Sequence, residues 1–155
     1  MWMVILPKRA RSTRLSVSSM RRTLTSARSS NVAGKFYSIT AGNDQFIAPQ
    51  SSVNYYESVV TRVDNRRATE DFYRLFMVPG MMHCQGGEGA TDQFDKISAL
   101  EQWVEHGIAP DRIVASHVKD SAADRTRPLC PYPQVAEYKG TGSTDEAANF
   151  ICKTP

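Results

Sequence analysis

The sequence predicts an α/β fold in which two parallel strands are joined by a crossover helix. One observation is the order of patterns from residue 35: a β-prone run, a turn, a helical period, an apolar run, a Gly-rich loop and a second helical period. Another is the run Leu75-Phe76-Met77-Val78, almost continuously apolar, as a parallel strand covered on both faces requires. A third is that Asp44 and His83 each stand just past a predicted strand end, where parallel sheets carry their functional groups.

Residues 1–35 read as a leader rather than part of that fold. They hold 8 of the 19 basic residues and no acid, which leaves 11 basic against 16 acidic residues in the remainder. The net charge of +3 therefore hides a mildly acidic domain, residues 36–155, behind a basic arm, and gives no argument for nucleic acid binding. The arm is Arg- and Ser-rich without a sustained apolar period. Its short apolar run Trp2 to Leu6 precedes the basic residues, the reverse of a secretory signal. An organelle transit segment shares its composition; a leader unrelated to the domain is the alternative. No apolar run approaches the roughly 18 residues of a membrane span.

Lys35 to Ala41 is the first predicted strand, closed by the turn residues Gly42-Asn43-Asp44. Ser51 and Ser52 offer a hydroxyl N-cap to a helix whose apolar positions are Val53, Tyr56, Val59, Val60 and Val63. Asp64-Asn65-Arg66-Arg67 is a polar break, and Tyr73 to Val78 is the second strand. After the Gly-rich loop, Thr91 or Asp92 is the predicted cap of a helix with the stripe Phe94, Ile97, Leu100, Trp103 and Val104. His106 and Gly107 close it, where a cation favours the helix dipole. Ile108 to Ser116 reads as a short extended segment, and from His117 onward the chain reads as an irregular tail. Two strands and their helices should leave sheet edges open, which predicts poor solubility.

A histidine that moves protons needs an acid partner to hold its tautomer. Asp44 precedes His83 by 39 residues, room for one helix and one strand, so that two adjacent strand ends would bring them together. The plain alternative is a turn histidine in a Gly-rich loop, with Asp44 a turn former. Asp64, Asp71 and Asp92 are poorer partners, since none lies at a strand end before the histidine. His83-Cys84 lacks the ligand spacing of a zinc motif, so no metal is assigned. Trp103 belongs to the apolar stripe and reads as core, and His117 receives no role.

The run Arg74-Leu75-Phe76-Met77-Val78-Pro79-Gly80-Met81-Met82-His83-Cys84, followed by Gly-rich sequence and Phe94-Asp95, resembles the histidine motif of the tannase and feruloyl esterase family. Arg125-Thr126-Arg127-Pro128-Leu129-Cys130-Pro131-Tyr132-Pro133-Gln134, then Tyr138-Lys139-Gly140 and Asn149-Phe150-Ile151-Cys152, resembles the family's C-terminal end. The Asp44 neighbourhood, Gly42 to Pro49, resembles it too. It departs at Thr40-Ala41-Gly42, where members carry an aromatic or polar residue and then His-Gly. The resemblance covers roughly residues 36–155.

It implies a C-terminal fragment of an α/β-hydrolase: two parallel strands with crossover helices, an Asp loop, a His loop and a disulfide-tied irregular tail. It implies His83 as general acid and base and Asp44 as its orienting carboxylate. The implied function is a secreted serine esterase that cleaves esters of phenolic acids, without nucleic acid or membrane partners. The family's calcium site lies in a lid outside this chain, so no cofactor is expected in it.

Three cysteines leave one over after any pairing. The resemblance implies a Cys130–Cys152 disulfide, whose loop closure is worth roughly 3 kcal/mol. It also implies that Cys84 pairs, in the family, with a cysteine beside the nucleophilic serine; that partner would lie upstream of residue 36, so Cys84 is expected to be unpaired here.

No Gly-x-Ser-x-Gly occurs in the 155 residues. The nearest string, Gly140-Thr141-Gly142-Ser143-Thr144, follows the histidine and so has the wrong order. The expectation is an esterase segment inactive by itself. A non-catalytic remnant and an interaction module are the alternatives.

Overall fold

The structure is a computed structural model that describes residues 2–5 and 34–155. Residues 6–33, the bulk of the expected leader, lie outside the described residues. Trp2–Ile5, also expected to be leader, instead forms a strand, β1.

Strands β2 (Lys35–Ala41) and β3 (Tyr73–Val78) pair in parallel, from Phe36 opposite Tyr73 to Ala41 opposite Val78. The period of two divides their side chains cleanly. Tyr73 and Leu75 pack beneath helix α1 (Pro49–Val63) through Tyr56, with Val53, Val59, Val60 and Met77 around them. On the opposite face Tyr37, Ala41, Phe76 and Val78 meet Leu100 and Trp103 of α3 (Ser98–His106) and Ile113, Ala115 and Leu129. Both faces are therefore buried, which is the reason for the unbroken apolar run in β3. The short helix α2 (Arg66–Glu70), capped by the Asn65 side chain on the Ala68 N–H, completes the crossover.

The helix starts differ from the expected ones. Ser51 and Ser52 do not cap α1: the helix begins at Pro49, with Ala48 at the N-cap position and no side-chain cap. Proline at the first position lacks the N–H that would need a partner. The Ser51 hydroxyl donates instead to the Ala48 carbonyl. Nor do Thr91 or Asp92 cap α3. Gln93–Phe94 forms a short strand, β4, and the Asp95 carboxylate accepts the N–H groups of Ile97 and Ser98 and the Ser98 hydroxyl. Those bonds hold the Asp95 carboxyl down at about 2, the Ser98 hydroxyl contributing most. Gly107 ends α3 in the left-handed region, as expected.

About half of the expected irregular tail is strand, and β5 begins inside Ile108 to Ser116, the segment expected to be extended. β5 (Ile113–Lys119) and β6 (Ala122–Leu129) form an antiparallel hairpin with β4 at the other edge of β5. The turn residues Asp120 and Ser121 both have positive φ, 51° and 66°, the geometry whose twist suits a two-residue hairpin. β7 (Val135–Tyr138) and β8 (Phe150–Lys153) form a second antiparallel pair. The Cys130–Cys152 disulfide, with Cα atoms 5.4 Å apart, ties the end of β6 to β8.

The sheet edges are also less open than expected. β1 lies antiparallel on the outer edge of β2, and the Tyr132 N–H donates to the Leu75 carbonyl on the outer side of β3, beside a bridge from Phe76 to Pro131. No helix among the described residues is long and apolar enough to cross a membrane.

Candidate active site

The parallel pairing of β2 and β3 does not stop where the strands end. The Gly42 N–H donates to the Val78 carbonyl at 2.8 Å, and the Asn43 N–H to the Met81 carbonyl at 2.9 Å. The two loops leave the sheet zipped together. One residue beyond Asn43 and two beyond Met81, Asp44 and His83 meet at 2.9 Å between Asp44 Oδ2 and His83 Nδ1.

Asp44 is fixed before it reaches the histidine. Its other oxygen, Oδ1, accepts the Phe46 N–H at 2.8 Å and the Ile47 N–H at 2.9 Å. The Ile47 amide is the main cause of a carboxyl held below its ordinary value, with the Phe46 amide and His83 adding to it. The Asp44 side chain is 10% exposed, the His83 side chain 38%. An ionised carboxylate can only accept, so Nδ1 carries the proton and the neutral imidazole presents a lone pair at Nε2.

The histidine loop is ordered by its backbone. The Met82 N–H donates to the Gly86 carbonyl, and the Gly86 N–H to Asp92 Oδ2 at 2.6 Å. Met81, 5% exposed, anchors the loop in the core. Gly87 crosses so near Gly80 that a Cβ would lie 2.1 Å from the Gly80 carbonyl oxygen, and its φ is +115°. Only glycine fits there.

A cavity of about 200 Å³ opens beside the pair, lined by His83, Asp44, Cys84 and the largely apolar group Tyr37, Ile39, Ile47, Met81 and Phe94. Cys84 is a free, exposed thiol with φ +67°. Cys130 and Cys152, the pair the resemblance implies, are the two that are joined.

His117 turns out to have an acid partner as well: its Nδ1 lies 2.5 Å from Asp124 Oδ1 on the β5–β6 hairpin. It does not line the cavity, so the hydrogen bond alone does not distinguish His83; the cavity does. Sequence reasoning gave no role to Gln45 and Phe46, which touch His83, and weighed Asp92, which shapes its loop, only as a helix cap and a poorer partner. Ser143, in the nearest serine string, accepts the Asp145 N–H in a turn. Among the described residues no group of three His, Cys, Asp or Glu side chains is placed to hold a metal ion.

Comparison with known proteins adds to this geometry. The family model described as tannase and feruloyl esterase matches residues 8–153. The chain is 43% identical over 125 residues to a mono(2-hydroxyethyl) terephthalate hydrolase from Piscinibacter sakaiensis, covering 79% of this chain and 20% of that protein. It is 42% identical over 148 residues to an uncharacterised esterase of Xanthomonas campestris, covering 77% of this chain and 26% of the relative. Among solved structures, an esterase from Aspergillus oryzae superposes with a TM-score of 0.70 at 32% identity, covering 77% of this chain and 27% of that one. The chain thus spans about a quarter or less of the length of these curated relatives. Nearly its whole length falls within one family model: the chain belongs to the tannase and feruloyl esterase family.

Proposed function

We propose that residues 36–155 supply the acid and histidine of an α/β-hydrolase serine esterase site that cleaves esters of phenolic acids. The observation that carries the reading is the 2.9 Å contact between His83 Nδ1 and an Asp44 carboxylate already held by two backbone amides, at the wall of an apolar cavity.

In this mechanism a serine on a segment outside the 155 residues attacks the ester carbonyl, and His83 Nε2 takes its hydroxyl proton. Asp44 keeps Nδ1 protonated and stabilises the imidazolium. His83 then passes the proton to the leaving alcohol, an acyl-enzyme remains, and water attacks it with His83 as base again. The family description and the name of the terephthalate ester hydrolase both point to esters of aromatic acids. The apolar wall of Tyr37, Ile39 and Phe94 suits an aromatic group. At about 200 Å³ the cavity is smaller than the roughly 300–1,000 Å³ of a complete small-molecule site, so in this reading other segments close it. The Cys130–Cys152 disulfide supports an oxidising compartment, consistent with secretion.

The test is a chimera in which residues 36–155 replace the matching segment of the Aspergillus oryzae esterase, assayed on feruloyl, galloyl and terephthalate esters. Activity should appear and fall by about 10⁴-fold or more with His83→Ala. The 155-residue chain by itself should match its own His83→Ala control. Turnover in the chimera that survives the substitution overturns the mechanism.

A further inference from the structure

The run Asp44-Gln45-Phe46 touches His83 at three places, of which the carboxylate is only one. The His83 backbone N–H donates to Gln45 Oε1 at 3.4 Å, a long and therefore weak bond. The Phe46 ring stands perpendicular to the imidazole, with centroids 5.3 Å apart and an interplanar angle of 89°.

Phe46 is 75% exposed, the most exposed large apolar side chain among the described residues. Burial within the described residues therefore does not explain its place. The turn at Asp44 needs only the backbone N–H of position 46, which any residue but proline supplies. What phenylalanine adds is the ring, and the ring meets the imidazole.

We propose that Phe46 is a positioning residue for His83, its ring blocking rotation of the imidazole and keeping Nε2 turned to the cavity. A histidine bonded at Nδ1 alone can pivot about that bond, and this one is 38% exposed, with room to do so. The perpendicular ring closes that path. Because the Phe46 amide also holds Asp44, one residue sets both partners: backbone for the acid, ring for the base. A misplacement of about 1 Å in a catalytic group costs on the order of 10²-fold in rate. That consequence rests on the proposed catalytic role of His83; the restraint itself is a property of this chain.

The experiment is imidazole NMR on the full chain: wild type, Phe46→Ala, Phe46→Tyr, Phe46→Leu and Gln45→Ala. The exchange rate of the His83 Nδ1 proton with water reports how long the ring stays seated on Asp44. An edge-to-face aromatic contact corresponds to roughly a two- to tenfold change in that population. Phe46→Ala should speed the exchange by that factor without altering the Nδ1-H tautomer, Phe46→Tyr should restore it, and Gln45→Ala should change it less. Amide exchange at Ile47 separates this from damage to the turn, which a merely structural role would cause. Should Phe46→Ala disturb that amide, Phe46→Leu carries the test, since it fills space without a ring face. A His83 proton as protected as in the wild type, in whichever variant keeps the turn, overturns the proposal. Failure of the catalytic reading shows separately, as chimera activity that does not need His83.

Discussion

Asp44 and His83, 39 residues apart in the chain, are brought to 2.9 Å by two strands that run parallel and two loops that stay hydrogen-bonded beyond them. The carboxylate orients the ring and is itself oriented, because its second oxygen is occupied by the Phe46 and Ile47 amides. Rigidity at the acid is what makes the tautomer of the histidine predictable.

Substitution of Asp44 separates its two tasks. The side chain of the Asp44→Asn variant keeps one carbonyl oxygen, enough for the two amides, but turns an NH₂ donor toward His83. The turn should survive and the histidine should switch to the Nε2-H tautomer, which cannot accept a proton from a nucleophile. Asp44→Ala removes both functions and should release the Phe46 and Ile47 amides to fast exchange. Imidazole ¹⁵N shifts read the tautomer directly, and an unchanged Nδ1-H form in the asparagine variant contradicts the assignment.

Acid should reach the Asp44 carboxylate late. The Asp44 carboxyl is held below its ordinary value of 3.8, chiefly by the Ile47 amide. A lowered folded-state value means that its stabilising contribution is complete above the ordinary carboxylate range and is lost as pH falls through the lowered value. The Asp44 carboxyl ¹³C shift should therefore titrate below 3.8. Asp95, held at about 2, should keep its bonds to the start of α3 to still lower pH. Titration of Asp44 at or above its ordinary value contradicts the observed geometry.

What could be read from the sequence follows burial. β2 and β3 occupy the expected residues because both are covered on two faces and their side chains say so continuously. Ile113 to Ser116 of β5 fell within the segment expected to be extended, but the hairpin it makes with β6 was hidden for the opposite reason. Its outer face is solvated, Asp124, Arg125 and Arg127 interrupt any apolar run, Pro128 argues against a strand, and Asp120-Ser121 lacks the glycine of the commonest hairpin turns. The α1 start was legible in principle: Pro49 marks a first helical position more strongly than Ser51 marks a cap. Asp44 and His83 could be named from their strand-end positions. Gln45 and Phe46 could not, since their contacts with His83 exist only once the two loops lie side by side.

Gly87→Ala should abolish the histidine loop while leaving the sheet. Its Cβ would lie 2.1 Å from the Gly80 carbonyl oxygen, a backbone atom that cannot swing away, and the φ of +115° is strained for any L side chain. Gly86→Ala, with nothing within 4 Å of its Cβ, is the matched control, sharing a positive φ without the clash. Amide exchange at Met82, Gly86 and Ala90 should rise far more in the first variant than in the second. Equal effects indicate that backbone strain, not the close crossing, limits the loop.

The disulfide should be worth more to the second hairpin than to the site. Cys130 and Cys152 are 22 residues apart, and closing that loop constrains the unfolded chain by roughly 3 kcal/mol. The double substitution Cys130→Ser, Cys152→Ser should lower Tm by roughly 10 °C for a domain of this size. Its structural effect should concentrate in β7 and β8, which are joined to the rest through β6 and the bond, while the β2–β3 pairing that carries Asp44 and His83 is packed chiefly by α1 and α3. The His83 Nδ1 proton is the internal reference: it should remain as in the wild type at temperatures below the transition. Thiol labelling checks the assignment, since the native chain should react once, at exposed Cys84, and three times after reduction and unfolding. Loss of the His83 signal in the double variant while the chain remains folded places the disulfide within the support of the site and contradicts the division drawn here.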